Sequence, residues 1–514
     1  MVLKQAVKQW TRRLGVWTGV SSATVVGIAW PAQADLENQT KQILGGADLG
    51  DTLVSVLVVD LDANDTLVAL KPDRPMIPAS NLKLLTTAAA LDRLGPDFKF
   101  TTDLTLLPPL SPPPGTNSLN APAPPDLRLT GSGDPALGDD ALLAELELEP
   151  DAVLDKFVEA VVATGHRRFG VLYLDDDAFD EQHIHPTWPS DQLDKHYCAP
   201  VAGLNFHGNV LDVLYVPAAL RGEAPTVQVY PWWPQLETVN RAVTGPRDAF
   251  WISRTDDTNR FTFGGQVRNT RSTPLRTTLH DPPMFLGELL KHRLAEAGVA
   301  VERVARVDPN LLPRDGEVLY RVQTTLPGVL DRTNQDSANL FAEALFKRMG
   351  RELTGAPGSF ESGGAAVRMY LQERMGHRVA VALVQPADGS GLSRENRITA
   401  RVLVETLRDM HDRSDIADVY RGSLAVAGEI GTLRRRGEGL DGVRVYGKSG
   451  FIRGVSGLSG YLVVPDPTVA DGTRTLAFSM LFNEFKPPRS NATMKTAQDR
   501  LLQAWAEHML AAVE

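Results

Sequence analysis

Cysteine is nearly absent. The 514 residues carry one, Cys198, so no intrachain disulfide can form and the fold must rest on buried apolar surface. Cys198 reads as a small buried residue, with a reactive thiol as the alternative. Histidine is sparse and scattered. The ten include only one close pair, His183 and His185, with no neighbouring cysteine or third histidine. No metal constellation is visible and no cofactor is expected. Basic residues do not dominate either: the formal net charge is −10, which argues against nucleic acid as a partner. Beyond the first thirty residues no stretch has the length and apolarity of a membrane span.

The first residues read as a targeting segment. Lys4, Lys8, Arg12 and Arg13 form a basic region, Leu14 to Trp30 an apolar one, and Ala32-Gln33-Ala34 an A-x-A cleavage site. Cleavage after Ala34 predicts an exported, periplasmic protein whose membrane association is at most peripheral. The alternative is a retained anchor, because the apolar run is near spanning length. Removing four positive charges and no negative ones would take the net charge from −10 to −14. The length predicts two or three domains, and 43% hydrophobic with 23% charged residues fits a soluble globular chain.

Leu53 to Leu61 alternates as a strand with Val54, Val56 and Val58 on one face, and Thr66 to Leu70 returns as its hairpin partner. Residues 108 to 125, rich in Pro, Ser and Asn, read as an exposed loop. Gly131-Ser132-Gly133-Asp134-Pro135 is a turn rather than a phosphate cradle, since no G-K-[ST] follows it. Gly170 to Leu174 reads as a buried strand ending in Asp175-Asp176-Asp177, a solvated strand end in preference to a cation site. Short β-like runs separated by turns fill 206 to 285. Helices are expected over 151–164, 284–298, 340–349 and 401–408. Val379 to Val384, Val443 to Lys448, Gly457 to Val464 and Thr475 to Phe482 read as strands. The last three imply an antiparallel sheet flanked by helices, one of them the amphipathic stretch Met494 to Val513.

Pro78-Ala79-Ser80-Asn81-Leu82-Lys83 organises the rest. Pro78 and Ser80 read as a helix entry, followed by an apolar helix to Leu94 with Gly95 as its stop. Positions three apart share a helix face, so the Ser80 hydroxyl and the Lys83 amine can meet. A serine needs a base to become a nucleophile. A lysine serves as that base when desolvation and the helix dipole lower its pKa. S-x-x-K alone is a weak signal. Ser337-Ala338-Asn339 and Lys448-Ser449-Gly450 complete the ordered set S-x-x-K, S-x-N, K-[ST]-G. Ser118-Leu119-Asn120 also matches S-x-N but lies in the proline-rich stretch. Ser337 and Asn339 reach one site only if they sit on the turn entering the helix that follows. Gly450, without a Cβ, would let a substrate backbone approach the strand edge.

With these motifs, Gly131 to Pro135, Asp388-Gly389-Ser390-Gly391-Leu392-Ser393-Arg394, Val426-Ala427-Gly428 and Gly431 to Arg436, the chain resembles the class C low-molecular-mass penicillin-binding proteins, the D-alanyl-D-alanine carboxypeptidase/endopeptidases. The resemblance covers nearly the whole mature chain. It implies a multidomain α/β protein: a penicillin-binding, β-lactamase-like transpeptidase domain over 35–97 and 320–514, carrying two inserted domains. One would span 98–205 and 286–319, the other, largely β, 206–285. The 254 positions between Lys83 and Ser337 fit such insertions.

The resemblance also implies roles. Ser80 would attack the penultimate D-alanine carbonyl, with Lys83 as general base. Ser337 would relay a proton to the leaving amine, and Asn339 would hold the acyl-side amide. Lys448 and Ser449 would bind the terminal carboxylate, or penicillin's. The amides of Ser80 and Phe451 would form the oxyanion hole. Arg394, Tyr197 and Asp191 would line a pocket for the diamino-acid side chain, Arg394 having a structural ion pair as its alternative. Peptidoglycan stem peptides are the implied substrate and β-lactam antibiotics the inhibitors. Ser449 stands where the family usually has Thr, and Phe451 replaces a small residue. A serine β-lactamase and a non-catalytic wall-binding scaffold are the rival readings.

Overall fold

The computed structural model describes residues 33–109, 123–307, 315–469 and 472–511. The basic and apolar regions of the targeting segment lie outside them, as do 110–122 of the proline-rich loop.

A six-stranded sheet runs in the order Ala425–Val426, Arg444–Ile452, Val455–Pro465, Thr473–Asn483, Leu53–Asp60, Asp65–Leu70, all antiparallel. Its first four and last two strands in that order come from opposite ends of the sequence, joined by the register Leu53 to Asn483 and Asp60 to Leu476. Alternation places Val56 and Val58 on one face with Phe478, Met480 and Trp505, under the helices Gln33–Gly46 and Asn491–Ala511. Leu57 and Val59 point the other way, into a cluster with Leu85, Ala89, Phe346, Leu403 and Leu481. Both faces of the strand are therefore covered.

The helix Leu82–Leu94 is the centre of that second cluster, with ten residues from Leu82 to Leu91 buried. Helices Asn339–Thr354, Phe360–Met375 and Ala400–His411 enclose it. Its leucines and alanines fill the cluster, while the buried Lys83, Thr86 and Thr87 all make hydrogen bonds. Ser80 precedes this helix in a 3-10 turn, Ala79–Asn81, rather than capping it.

Between the two ends of the large sheet lies a mixed five-stranded sheet, ordered Ala300–Arg306, Arg168–Asp175, Asp126–Gly131, Lys99–Leu107, Glu317–Thr325. Its last strand runs through residue 320. Short strands between Val210 and Thr278 form three small sheets. One apolar cluster joins the two regions, from Leu129, Phe169 and Leu172 to Leu211, Phe261 and Phe263. At the Asp triplet, Asp176 accepts from Arg306 and Asp175 from Thr130.

Val379 to Val384 is not a strand. It forms a short 3-10 turn, Val381–Leu383, and the pairing beside it is the isolated bridge Gln385–Arg397. A β-branched run makes a strand only where a sheet edge receives it.

Candidate active site

The site forms where the Ser80 turn abuts the strand Arg444–Ile452. Gly450 permits the contact: a Cβ there would lie 2.5 Å from Asn81 Nδ2, 2.9 Å from the Ser80 nitrogen and 3.0 Å from the Asn81 nitrogen. Gly457 on the neighbouring strand faces the Asn81 side chain in the same way. The space expected for a substrate backbone at Gly450 thus holds the protein's own Ser80 turn. Gly391 (φ +85°) packs against the same turn: a Cβ there would lie 1.8 Å from the Ala79 carbonyl oxygen.

Lys83 lies fully buried one helical turn beyond Ser80. Its Nζ is 3.2 Å from Ser80 Oγ, 2.7 Å from Asn339 Oδ1 and 2.8 Å from the Ser390 carbonyl. Burial pushes its pKa down to about 8, against the pull of the Glu343 and Asp388 carboxylates. Asn339 Nδ2 donates to the Tyr197 carbonyl at 2.8 Å, which turns the amide oxygen toward Lys83.

Ser337 has φ +63° and Ala338 is extended, so a left-handed residue sets the turn that lets Ser337 and Asn339 face one cavity. Lys448 is also buried; its Nζ donates to the Ser449 carbonyl at 3.0 Å. Burial holds its pKa well below the ordinary lysine value, and the Lys83 charge adds to the effect.

Two cavities meet at Ser80, Ser337 and Phe451. The larger, about 980 Å³, is also lined by Asn339, Tyr197, Asp191 and Arg394. Tyr197 donates its hydroxyl to Gln192 Oε1 at 2.8 Å. Arg394 is exposed and donates to the Arg453 carbonyl at 2.9 Å, with no carboxylate partner among the described residues. The smaller cavity, about 200 Å³, is lined by Ser449, Gly450, Arg436 and Lys495. Phe451, 53% exposed, lines both. Cys198 is buried beside Trp188 and Leu392, and burial pushes its thiol up to about 12.

Sequence reasoning missed the layer behind Lys83. Glu343, fully buried, accepts from the amides of Gly389 (2.7 Å) and Ser390 (2.9 Å). Asp388 accepts from the amides of Gly391 and Ser393, from Asn396 Nδ2 and from Trp188 Nε1. The available signal was spacing: Glu343 follows Asn339 by four residues and so shares its helix face. Among the described residues no group of three His, Cys, Asp or Glu side chains is placed to hold an ion. None of the described helices is long and apolar enough to cross a membrane.

A helix-flanked antiparallel sheet with a buried lysine beside a serine is the architecture of the penicillin-binding serine enzymes. The crystal structure of penicillin binding protein 4 (dacB) from Haemophilus influenzae shares the fold, with a TM-score of 0.70 over 91% of this chain and 99% of that one at 21% identity. The chain belongs to the D-Ala-D-Ala carboxypeptidase 3 (S13) family, which matches residues 36–507. It is 33% identical over 511 residues to the D-alanyl-D-alanine carboxypeptidase of Actinomadura sp. (strain R39), covering 93% of this chain and 88% of that protein. It is 23% identical to the D-alanyl-D-alanine carboxypeptidase DacB of Haemophilus influenzae, covering 84% and 85%.

Proposed function

We propose that this chain is a serine-type D-alanyl-D-alanine carboxypeptidase and endopeptidase, cleaving peptidoglycan stem peptides through an acyl-enzyme on Ser80 and inhibited when β-lactams acylate the same hydroxyl. The observation that carries the reading is the fully buried Lys83, whose amine lies 3.2 Å from Ser80 Oγ. An amine with a pKa near 8 is a competent base at neutral pH.

Lys83 takes the Ser80 proton as Oγ attacks the carbonyl carbon of the penultimate D-alanine. The amides of Ser80 and Phe451 receive the developing oxyanion. Collapse breaks the C–N bond, and Ser337 passes a proton to the departing amine. Water then hydrolyses the ester. Asn339 steadies Lys83 through its oxygen and offers its second N–H to the acyl-side amide. Lys448 and Ser449 bind the terminal carboxylate of the leaving residue, for which the smaller cavity has room. The larger cavity takes the acyl side, with Arg394, Tyr197 and Asp191 around the diamino-acid side chain.

The domain division belongs to the same proposal: an acyltransferase part from the two ends of the chain, and two insertions, one of which brings Tyr197 and Asp191 to the cavity. Export to the periplasm rests on the N-terminal targeting pattern.

Intact-mass measurement with benzylpenicillin tests the reading on wild type and Ser80→Ala. The expected result is one stable adduct on wild type and none on the variant. A transient adduct with penicillin consumed moves the assignment to a β-lactamase. No adduct on folded wild type refutes the acyl-enzyme and leaves a wall-binding scaffold.

A further inference from the structure

A neutral lysine has two N–H bonds and one lone pair, arranged tetrahedrally. Lys83 Nζ has three neighbours within hydrogen-bond distance: Asn339 Oδ1, the Ser390 carbonyl and Ser80 Oγ. The first two only accept. If each takes one N–H, the remaining tetrahedral direction points at Ser80 Oγ, and that direction carries the lone pair. Aiming the base therefore depends on holding two carbonyl oxygens in place. Asn339 is held by Tyr197. Ser390 is on a loop, where a carbonyl has no regular ladder to fix it.

Glu343 supplies the restraint. It lies on the buried face of the helix Asn339–Thr354, and its two oxygens each accept one loop amide, Oε2 from Gly389 and Oε1 from Ser390. The Gly389 carbonyl in turn accepts from Thr86 Oγ1 at 2.7 Å. The Gly389–Ser390 peptide is thereby held at both ends, its oxygen by Thr86 and its nitrogen by Glu343, and this fixes the residue whose carbonyl accepts from Lys83; the next amide, of Gly391, donates to Asp388 Oδ1 at 2.8 Å.

We infer that Glu343 is a positioning residue for the acylation step, acting through the Gly389–Ser390 backbone to aim the Lys83 lone pair at Ser80. The inference rests on the Ser80 acyl-enzyme reading. Glutamine is the informative replacement because it keeps size. One of its two heads becomes an NH₂, which meets a backbone N–H donor where a carboxylate oxygen had accepted, so one clamp is lost. It also removes a carboxyl that burial, with Asp388 beside it, pushes up to about 8, and whose ionised form favours protonated Lys83. The charged groups around the pair are Lys83 on the central helix, Lys347 on Glu343's own helix, Asp388 on the loop and Lys448 on the sheet strand.

The test is the second-order rate of acylation by a fluorescent penicillin from pH 5.5 to 9.5, on wild type, Glu343→Gln and Glu343→Asp, with thermal unfolding recorded for each. Glu343→Gln is expected to have a plateau about tenfold to a hundredfold lower. Its acidic limb should move to lower pH, because the carboxylate that favoured protonated Lys83 has gone. Glu343→Asp keeps the charge but withdraws it by one methylene; it should lose about tenfold, with its limb near the wild-type position. A purely structural role would lower the yield of folded protein and leave the limb unmoved. Folded Glu343→Gln with the wild-type rate and limb overturns the inference while leaving the Ser80 reading intact. If Glu343→Gln does not fold, Glu343→Asp decides: a rate within about twofold of wild type overturns the inference, and a tenfold loss supports it. Failure of wild type itself to acylate would instead strike at the underlying reading.

Discussion

Gly450→Ala isolates the contact on which the site is built. The added Cβ would sit 2.5 Å from Asn81 Nδ2, 2.9 Å from the Ser80 nitrogen and 3.0 Å from the Asn81 nitrogen. Comfortable heavy-atom contact begins at about 3.5 Å, so the turn must retreat by about 0.5–1 Å. Two of the three atoms belong to the backbone, so no rotamer change relieves them. The residue displaced is Ser80, whereas Lys83 is anchored independently by Asn339 and Ser390. The variant therefore separates nucleophile from base. A misplacement of about 1 Å costs on the order of a hundredfold in rate, about 2.7 kcal/mol of barrier. The assay is the rate of acylation by a fluorescent penicillin. Gly45→Ala serves as control, since a Cβ there meets nothing within 4 Å. Folding of both variants is confirmed by thermal unfolding. Gly450→Ala acylating within about threefold of wild type would refute the argument that the Ser80 turn is seated against this strand.

Three further outcomes are expected. Because burial pushes Lys83 down to about 8 and its neutral form is the base, wild-type acylation should rise with pH and level off above 8; a midpoint near the ordinary lysine value would contradict the desolvated base. Burial pushes Asp134 up to about 6, above its ordinary value of 3.8, so its burial costs nothing below pH 3.8 and increasingly destabilises the fold as pH rises through 6. Asp134→Asn keeps an acceptor for the Ala136 amide and can donate to Thr324, so it should gain up to about 3 kcal/mol relative to wild type at pH 7 but not at pH 4, read by urea denaturation. Trp188→Phe removes the 2.9 Å indole N–H bond to buried Asp388 and should cost about 1–3 kcal/mol in the same assay; no loss would show that the bond contributes nothing net.

The chemistry of this protein was legible because it is written locally. Ser80 and Lys83 are three residues apart, and one turn of backbone brings their side chains together wherever that turn lies. Ser337 and Asn339 could serve one site only from a turn, and the left-handed Ser337 makes that turn. Strand alternation likewise read Val56 and Val58 onto a common face. Local pattern failed where an outcome depended on a distant partner. Val379 to Val384 has strand composition but no sheet edge to receive it as a strand. Gly450 lacks a Cβ for the sake of Asn81 and Ser80, more than 360 positions earlier in the chain.

Residue types and short spacings thus determined the serine–lysine pair proposed as nucleophile and base, and the sheet with its flanking helices. Tertiary structure alone decided how that lysine is held. The acceptors of Lys83 lie at Asn339 and Ser390, and the carboxylate clamping the second lies at Glu343. None of these is near Lys83 in sequence. Hydrogen-bond direction and burial are set by where separated segments meet, and no periodicity within any one segment records that meeting.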